Sequence, residues 1–534
     1  MIGLSLVAAA CGSDDEGDTG GASTTAGDAT TTAGEATTTE GDATTTAGEA
    51  TTTEGEATTT ASEDTTEPTT EETTEPTTED TATEETTEPT TEDTATDPTT
   101  EDTATEPTTE DTATDPTTED TAEQADECGF APSDVTDGEL TGFAGTTPFG
   151  VITDEFFARL CEVDPGLTDL NYASETYDAV MILALATEIA GDDGIAMASE
   201  INGVTRDGEI CTTFADCKEL VAAGTDIDYD GASGPLQFAG NGEPLIASYG
   251  LLQFGDNNRI DPTLTEYIAA EGGPELDVPE TPVEGTREGD GTLTIGTILP
   301  QTGSLAFLGP PEFAGFDLAI AEINDAGGVL EQDVVGLPGD SGDTSTNQAD
   351  QTVDRLLSEN VDAIIGAASS SVTRTVIDKI TGAGVVMFSP ANTATDLSTY
   401  ADKGLYFRTA PPDIYQGDVL GQFVVNDGNS TVAIMNLNDE YGNSLATQAT
   451  ETITESGGEV VITKVYDPQA TSFDSEVDEI AAANPDAILV IGFNESSRIL
   501  RTMVEKGIGP LDKNVYGSDG NIGNALGVDF DAGN

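Results

Sequence analysis

Histidine and tryptophan are absent from the 534 residues, and cationic side chains are scarce: 15 Lys and Arg stand against 103 Asp and Glu, a formal net charge of −88. The first basic side chain is Arg159. Nucleic-acid binding and adhesion to an anionic membrane surface both need cations to displace counterions, so this composition disfavours both. Without imidazole there is no Ser-His-Asp or Cys-His nucleophile, no His-ligated zinc or haem, and no base that titrates near neutrality unaided. Any enzyme chemistry would fall to carboxylates, Lys or Tyr, and no cofactor is implied.

Long apolar runs are also missing. Residues 2–10 are apolar or small, too few for a transmembrane helix, which needs about 20. They run into Cys11 and then Gly-Ser-Asp-Asp, so the stretch reads as the end of a signal peptide. "AAAC" before "GSDD" resembles a bacterial lipoprotein box, and Cys11 is the expected lipidation site. The positively charged region that normally opens such a peptide is not present, and the expectation is a truncated gene start.

Of the 5 cysteines, 4 remain after Cys11. Cys211 and Cys217 bracket "CTTFADC", which predicts a local loop closure and leaves Cys128 and Cys161 as the second pair. An exported, oxidising compartment fits this usage, and no CxxC spacing suggests a metal or redox site.

What is abundant comes first in the chain. Residues 12–125 are almost wholly Thr, Glu, Asp, Ala, Gly and Pro, with "EDTATDPTT" recurring. One sign of charge and few apolar residues predict a disordered, extended stalk. From residue 126 the composition is globular, interrupted at 272–291 by the Pro- and Glu-rich "GGPELDVPETPVEGTREGDG". Two folded segments are expected, 126–271 and 292–534.

In the second segment, strands and helices alternate. The patterns predict strands at 293–299, 362–365, 385–388, 432–436, 460–465 and 487–491. Helices are predicted at 311–326, 346–359, 373–383, 442–455, 473–483 and 496–506. Such alternation implies an α/β fold of parallel sheets flanked by helices, with ligands at the carboxyl ends of the strands. In the first segment, helices are predicted at 154–160 and 174–190, followed by a cystine loop and a hairpin of "GPLQF" with "ASYGLLQF". Alone, this piece lacks a sheet large enough to cover its helices.

"IGAASSSVTRTVIDKITGAGVVMFSPANTATDL", "FRTAPPDIYQG" and "DEYGNS" together resemble the extracytoplasmic substrate-binding proteins of branched-chain amino acid type ABC importers. "ILPQTGSLAFLG", "GFNESSRILRTM" and "YGSDGN" extend the resemblance across the second segment. "YASETYDAVMILALA", "YDGASGPLQF" and "ASYGLLQFGDN" in the first segment resemble the family's C-terminal third. The resemblance implies a two-lobed periplasmic binding protein type I fold with its halves in exchanged order. Either a circular permutation or a truncated or collapsed tandem pair accounts for that order, and permutation is tolerated where new ends lie in an exposed loop.

The resemblance also implies a site for an amino acid zwitterion. Ser370 and Thr393 match the positions that hold the carboxylate, a task for hydroxyls and a helix N-terminus where no cation is available, and Ser369 joins the ligand-binding candidates as the start of the serine run between strand and helix. The Ala391 carbonyl and Thr393 hydroxyl match the acceptors for the ammonium. Asp519 matches its charge partner, one methylene shorter than the glutamate that amino acid receptors of the family often carry. Phe493 matches an aromatic wall, Leu308 a position where some relatives carry tyrosine, and Tyr441, Asp413 and Gln416 either contact ligand or brace the hinge. A Ser/Thr helix cap and a turn aspartate are the structural alternatives for the serine run and Asp519. "DIDYDG" matches the opening of a calcium loop, but Gln237 falls where a bidentate glutamate is required, so a turn leading into a strand is expected and no metal site.

The implied function is an extracytoplasmic, lipid-anchored receptor without enzymatic activity, which closes around an amino acid and delivers it to an ABC permease. The alternatives are a surface adhesin or spacer carrying a degenerate domain, and a sensor for amides or urea-like solutes.

Overall fold

The Ala173–Ala190 helix is apolar around nearly its whole circumference, and Ala173 through Thr187 are buried without a break. A helix of that kind has no solvent face and must be enclosed. Val180, Ile182, Leu183 and Leu185 are each fully buried, and each such side chain contributes about 1.5–3 kcal/mol on leaving water. The enclosing partner comes from the other segment. The Gly309–Asp325 helix crosses so closely that a Cβ on Gly315 would lie 2.2 Å from the Ala173 carbonyl oxygen.

The computed structural model describes residues 128–533 except 130, 151 and 273–275. Cys11 and the stalk at 12–125 lie outside the described residues. Two sheets organise the described chain. The first lobe holds five parallel strands in the order Tyr406–Arg408, Val386–Ser389, Ala363–Gly366, Thr294–Ile298 and Val335–Leu337. The second holds seven: Glu459–Tyr466, Thr431–Leu437, Ala487–Ile491, Asn514–Gly517, Ala144–Pro148, Ile246–Gln253 and Glu266–Glu271. Its first five are parallel and its last two antiparallel. The expected mixed α/β class with parallel sheets and flanking helices is what the molecule has.

Both segments build both lobes. Ala144 and Gly145 pair with Tyr516 and Gly517, so strands from 144–271 extend a sheet begun by 431–517. One core joins Phe143 and Phe254 to Ile434, Leu489 and Ile522. Another joins Tyr177, Leu183 and Phe238 to Ile295, Phe316 and Phe388. The expected shortage of sheet in the first segment is thereby met.

Several local expectations are corrected. "GPLQF" is not a strand; Gly234 adopts φ +97° and only isolated bridges form there. The antiparallel partners of Ile246–Gln253 are instead Ala144–Pro148 and Glu266–Glu271. A helix, Phe214–Ala222, starts inside the cystine loop and runs beyond it, capped by the Thr213 hydroxyl, which accepts from the Asp216 amide. "DIDYDG" places Ile227–Tyr229 in a short strand. The turn after it is tied down by the buried Asp178 carboxylate, which accepts from the amides of Ala232 at 2.9 Å and Ser233 at 2.7 Å. Both cysteine pairs are disulfides, Cys128–Cys161 and Cys211–Cys217.

The stretch read as a linker is pinned along the first lobe. The Val278 carbonyl accepts from the Gly240 amide at 3.1 Å, the Thr281 amide donates to Gly240 at 2.9 Å, and the Arg287 carbonyl accepts from Ile195 at 3.1 Å. The Arg287 guanidinium adds an ion pair with buried Asp362 at 3.0 Å.

Candidate functional site

The parallel strands of both sheets end facing a common cleft, where loops leave the carboxyl ends. From the first lobe, Leu305 and Leu308 follow strand Thr294–Ile298, Ala368 to Ser370 follow Ala363–Gly366, and Ala391 follows Val386–Ser389. From the second lobe, Tyr441, Phe493 and Asp519 follow Thr431–Leu437, Ala487–Ile491 and Asn514–Gly517. Tyr172, at the start of the buried helix, completes the wall. Together they line a cavity of only about 20 Å³, on the order of what a single water needs, and no Lys or Arg lines it.

Asp519 is the electrostatic centre. Its carboxylate is 4% exposed and accepts from Tyr172 at 2.7 Å, Tyr441 at 2.7 Å and Gln416 at 2.8 Å. Burial pushes its pKa up, and the three donors pull it back part of the way. Tyr172 and Tyr441 are held well above the ordinary tyrosine range, first by burial and then by the Asp519 charge, so both keep their protons and donate. Tyr441 also stacks on Phe493, with ring centroids 5.5 Å apart and planes 11° from parallel, a pairing worth about 0.5–1.5 kcal/mol beyond area burial.

On the opposite wall, the Ser369 hydroxyl caps the Ser370–Gly382 helix by accepting from the Val372 amide at 3.3 Å. The cap expected as the structural alternative is therefore formed by one serine, while Ser370 faces the cavity beside it. The Ser370 hydroxyl accepts from the Ala394 amide at 3.4 Å, joining the two loops. Asn392 fastens them further, donating to the Ala367 and Ala368 carbonyls at 2.9 and 2.8 Å.

The lobes touch beyond the cavity. The Ser371 hydroxyl contacts Asp439 at 3.0 Å and Glu440 at 2.5 Å, the Thr395 amide donates to Ser444 at 3.1 Å, and the Asn494 amide donates to Ser304 at 3.4 Å. These contacts define a closed arrangement.

The structure thus brings Ser369, Ser370, Ala391, Asp519, Phe493, Leu308 and Tyr441 to one cavity. Thr393 stands behind the wall. Its carbonyl accepts from the Asp413 amide at 2.7 Å, which turns the residue toward the hinge, and its buried hydroxyl has no hydrogen-bond partner. Asp413 is fully buried beside it, pushed up to about 7 by burial and by the nearby Asp519 charge. The Ser444 and Thr393 hydroxyls lie close enough to offset part of that rise without making a formed hydrogen bond. Gln416 braces the site, donating to both Asp519 and the Thr146 carbonyl.

The cavity also holds Tyr172, Leu305, Ala368 and Gly520, which the sequence reading does not single out, and Tyr172 is the one that bonds the central carboxylate. It opens the quoted "YASETYDAV" and adopts φ +64° ahead of the helix. A tyrosine in that conformation is uncommon, but nothing in the sequence marks the turn or its nearness to a residue 347 positions away.

The fold and the cleft define the class: a two-lobed α/β protein with parallel sheets flanked by helices and a small cavity between the lobes. Residues 292–528 match the family model of the periplasmic binding proteins. Over 236 residues the chain is 28% identical to the leucine-, isoleucine-, valine-, threonine- and alanine-binding protein of Pseudomonas aeruginosa, covering 44% of this chain and 62% of that protein. It is 29% identical over 212 residues to the Leu/Ile/Val-binding protein BraC3 of Rhizobium johnstonii, covering 39% and 56%. The chain spans less than two thirds of the length of these curated relatives. Among solved structures, the substrate-binding protein of the branched-chain amino acid transporter from Streptococcus pneumoniae, in complex with isoleucine, aligns with a TM-score of 0.40 at 27% identity, over 45% of this chain and 68% of that one. A Rhodopseudomonas palustris solute-binding protein in complex with p-hydroxybenzoic acid aligns with a TM-score of 0.39 at 18% identity, over 42% and 61%.

Proposed function

We propose that this protein is an extracytoplasmic solute receptor that binds an amino acid of the branched-chain type between its lobes, for delivery to an ABC permease, with Cys11 as its lipid anchor. We further propose that 128–271 and 292–533 are the C- and N-terminal parts of one binding-protein fold in exchanged order. The observation that carries the reading is the buried Asp519 carboxylate in a cavity walled by apolar side chains from both lobes. An ammonium finds its counter-charge there, while a solute that carries only a carboxylate finds no cation. Leu305, Leu308 and Phe493 supply apolar surface suited to an aliphatic side chain. Because both lobes contribute to the wall, a bound solute stabilises the closed state, the form a permease can distinguish.

Thermal unfolding of the full chain with leucine, isoleucine, valine, p-hydroxybenzoate and small amides tests this. A solute at about 100 times its dissociation constant stabilises by roughly 2.7 kcal/mol. The expected result is one cooperative transition raised by the aliphatic amino acids. A rise with p-hydroxybenzoate or an amide in their place reassigns the solute, and no rise with any of them favours an adhesin or spacer.

A further inference from the structure

We infer that Arg408, held by Glu243, is the positioning residue for the ligand cavity, fixing the 391–394 turn and tying it to two of the chain crossings between the lobes. This rests on the receptor reading above and assigns that site a support outside its own wall.

Arg408 ends the Tyr406–Arg408 strand at the point where the chain leaves the first lobe for the Asp413–Asn426 helix of the second. It is 1% exposed. Nη1 donates to the carbonyls of Asn392 at 3.2 Å and Ala394 at 2.9 Å, the residues on either side of Thr393. Nη2 donates to the Ser398 hydroxyl at 2.7 Å and to Glu243 at 2.6 Å, and Nε donates to the same carboxylate at 3.2 Å. A guanidinium has five N–H groups in a fixed planar fork, and here each has an acceptor.

Glu243 lies between Phe238, in the first-lobe core, and strand Ile246–Gln253 of the second sheet. Its neighbour Gly242 accepts from the Arg408 amide at 3.0 Å, so the two crossings are joined by backbone as well as by charge. Burial pushes the Glu243 carboxyl up, and the Arg408 charge and hydrogen bonds more than reverse this, keeping the pair ionised. The connection to the cavity is short: the Ala394 carbonyl meets Arg408 and the Ala394 amide meets the Ser370 hydroxyl, while Ala391 at the other end of the turn is itself wall. A purely structural ion pair would need none of the turn carbonyls. Here they take two of the five N–H groups; without the fork the Asn392 carbonyl would be a buried acceptor lacking a donor, and the Ala394 carbonyl would keep only the Leu397 amide at 3.3 Å.

The test is calorimetric titration of L-leucine into the full chain, with apo unfolding measured in parallel. Arg408→Lys keeps the charge but not the planar fork. Arg408→Met combined with Glu243→Met removes both charges at similar volume, an exchange that buried pairs tolerate. Both variants are expected to unfold cooperatively and to bind leucine at least tenfold more weakly, with Glu243→Gln, which leaves the donors in place, affected less than Arg408→Lys. Variants that lose stability yet bind leucine within twofold of the unmodified chain overturn the positioning role. Failure of the unmodified chain to bind leucine counts against the receptor reading and removes the basis of this one.

Discussion

At the scale of single residues, Asp519 and Asp413 do different work with the same side chain. Asp519 sits at the cavity with three donors on its carboxylate, so Asp519→Asn keeps the shape and removes the charge that an ammonium would meet. Leucine affinity is expected to fall on the order of 100-fold, about 2.7 kcal/mol, with the unfolding transition intact; calorimetric titration checks it. Asp413 and Glu175 are both pushed to about 7, chiefly by burial. Unfolded carboxyls titrate near 3.9–4.3. Between about pH 4 and 7 the folded chain therefore keeps protons that the unfolded chain has released, and stability falls as pH rises through that window. It levels off above about pH 7, where both forms are ionised at these two sites. Urea midpoints measured from pH 4.5 to 8 are expected to decline toward neutrality, and Asp413→Asn is expected to make the decline shallower.

At the scale of elements, the packing of Ala173–Ala190 against Gly309–Asp325 allows no side chain at residue 315. Gly315→Ala forces the helices apart, at a cost of about 1–3 kcal/mol for overpacking. Chemical denaturation is expected to give a lower midpoint with an unchanged slope, since the surface exposed on unfolding stays the same. Elements with strong periodicity were the legible ones. The strand read at 487–491 is Ala487–Ile491 as found, and the helix read at 496–506 is Ser496–Glu505. Ala144–Pro148 was not legible, because "AGTTP" has neither alternation nor length, and it is a strand only because Tyr516 and Ile246–Gln253 flank it. The Asp413–Asn426 helix was hidden behind its paired prolines, which set its start instead of forbidding it. Within the site, residues after regular strands could be placed by resemblance, as Ser370 and Asp519 were. Tyr172 and the Glu243–Arg408 pair could not, since each contact joins positions whose nearness depends on how the two segments assemble.

At the scale of the whole molecule, the order of the segments matters less than their mutual completion. The two largest cores draw side chains from both 128–271 and 292–533, so neither segment buries all of its apolar surface alone. A protease site introduced at 285–288 and then cut is expected to leave two pieces that co-elute on size exclusion and unfold together. Separation of the pieces would show that the shared cores are too weak to hold them. The two ends of the described chain also meet. The Asn258 side chain accepts from the Leu140 amide at 2.9 Å and donates to Asp531 at 2.7 Å. Arg259 pairs with Asp531 at 2.8 Å and donates to the Pro132 carbonyl at 3.1 Å. Two adjacent side chains thus bridge residues near the start and the finish of the described chain, and chains tolerate rejoining at such exposed ends. A gene rewritten as 292–533 followed by 128–271, which keeps the Cys128–Cys161 disulfide and omits the pinned stretch between the segments, is therefore expected to give the same fold and the same leucine affinity. It would lack the hold of Val278, Thr281 and Arg287 on the first lobe, so leucine is expected to dissociate faster if that strap restrains opening, which stopped-flow displacement would read. A rewritten chain that does not fold would mean that the exchanged order is required for this structure, and the proposal of one receptor in permuted order would fall.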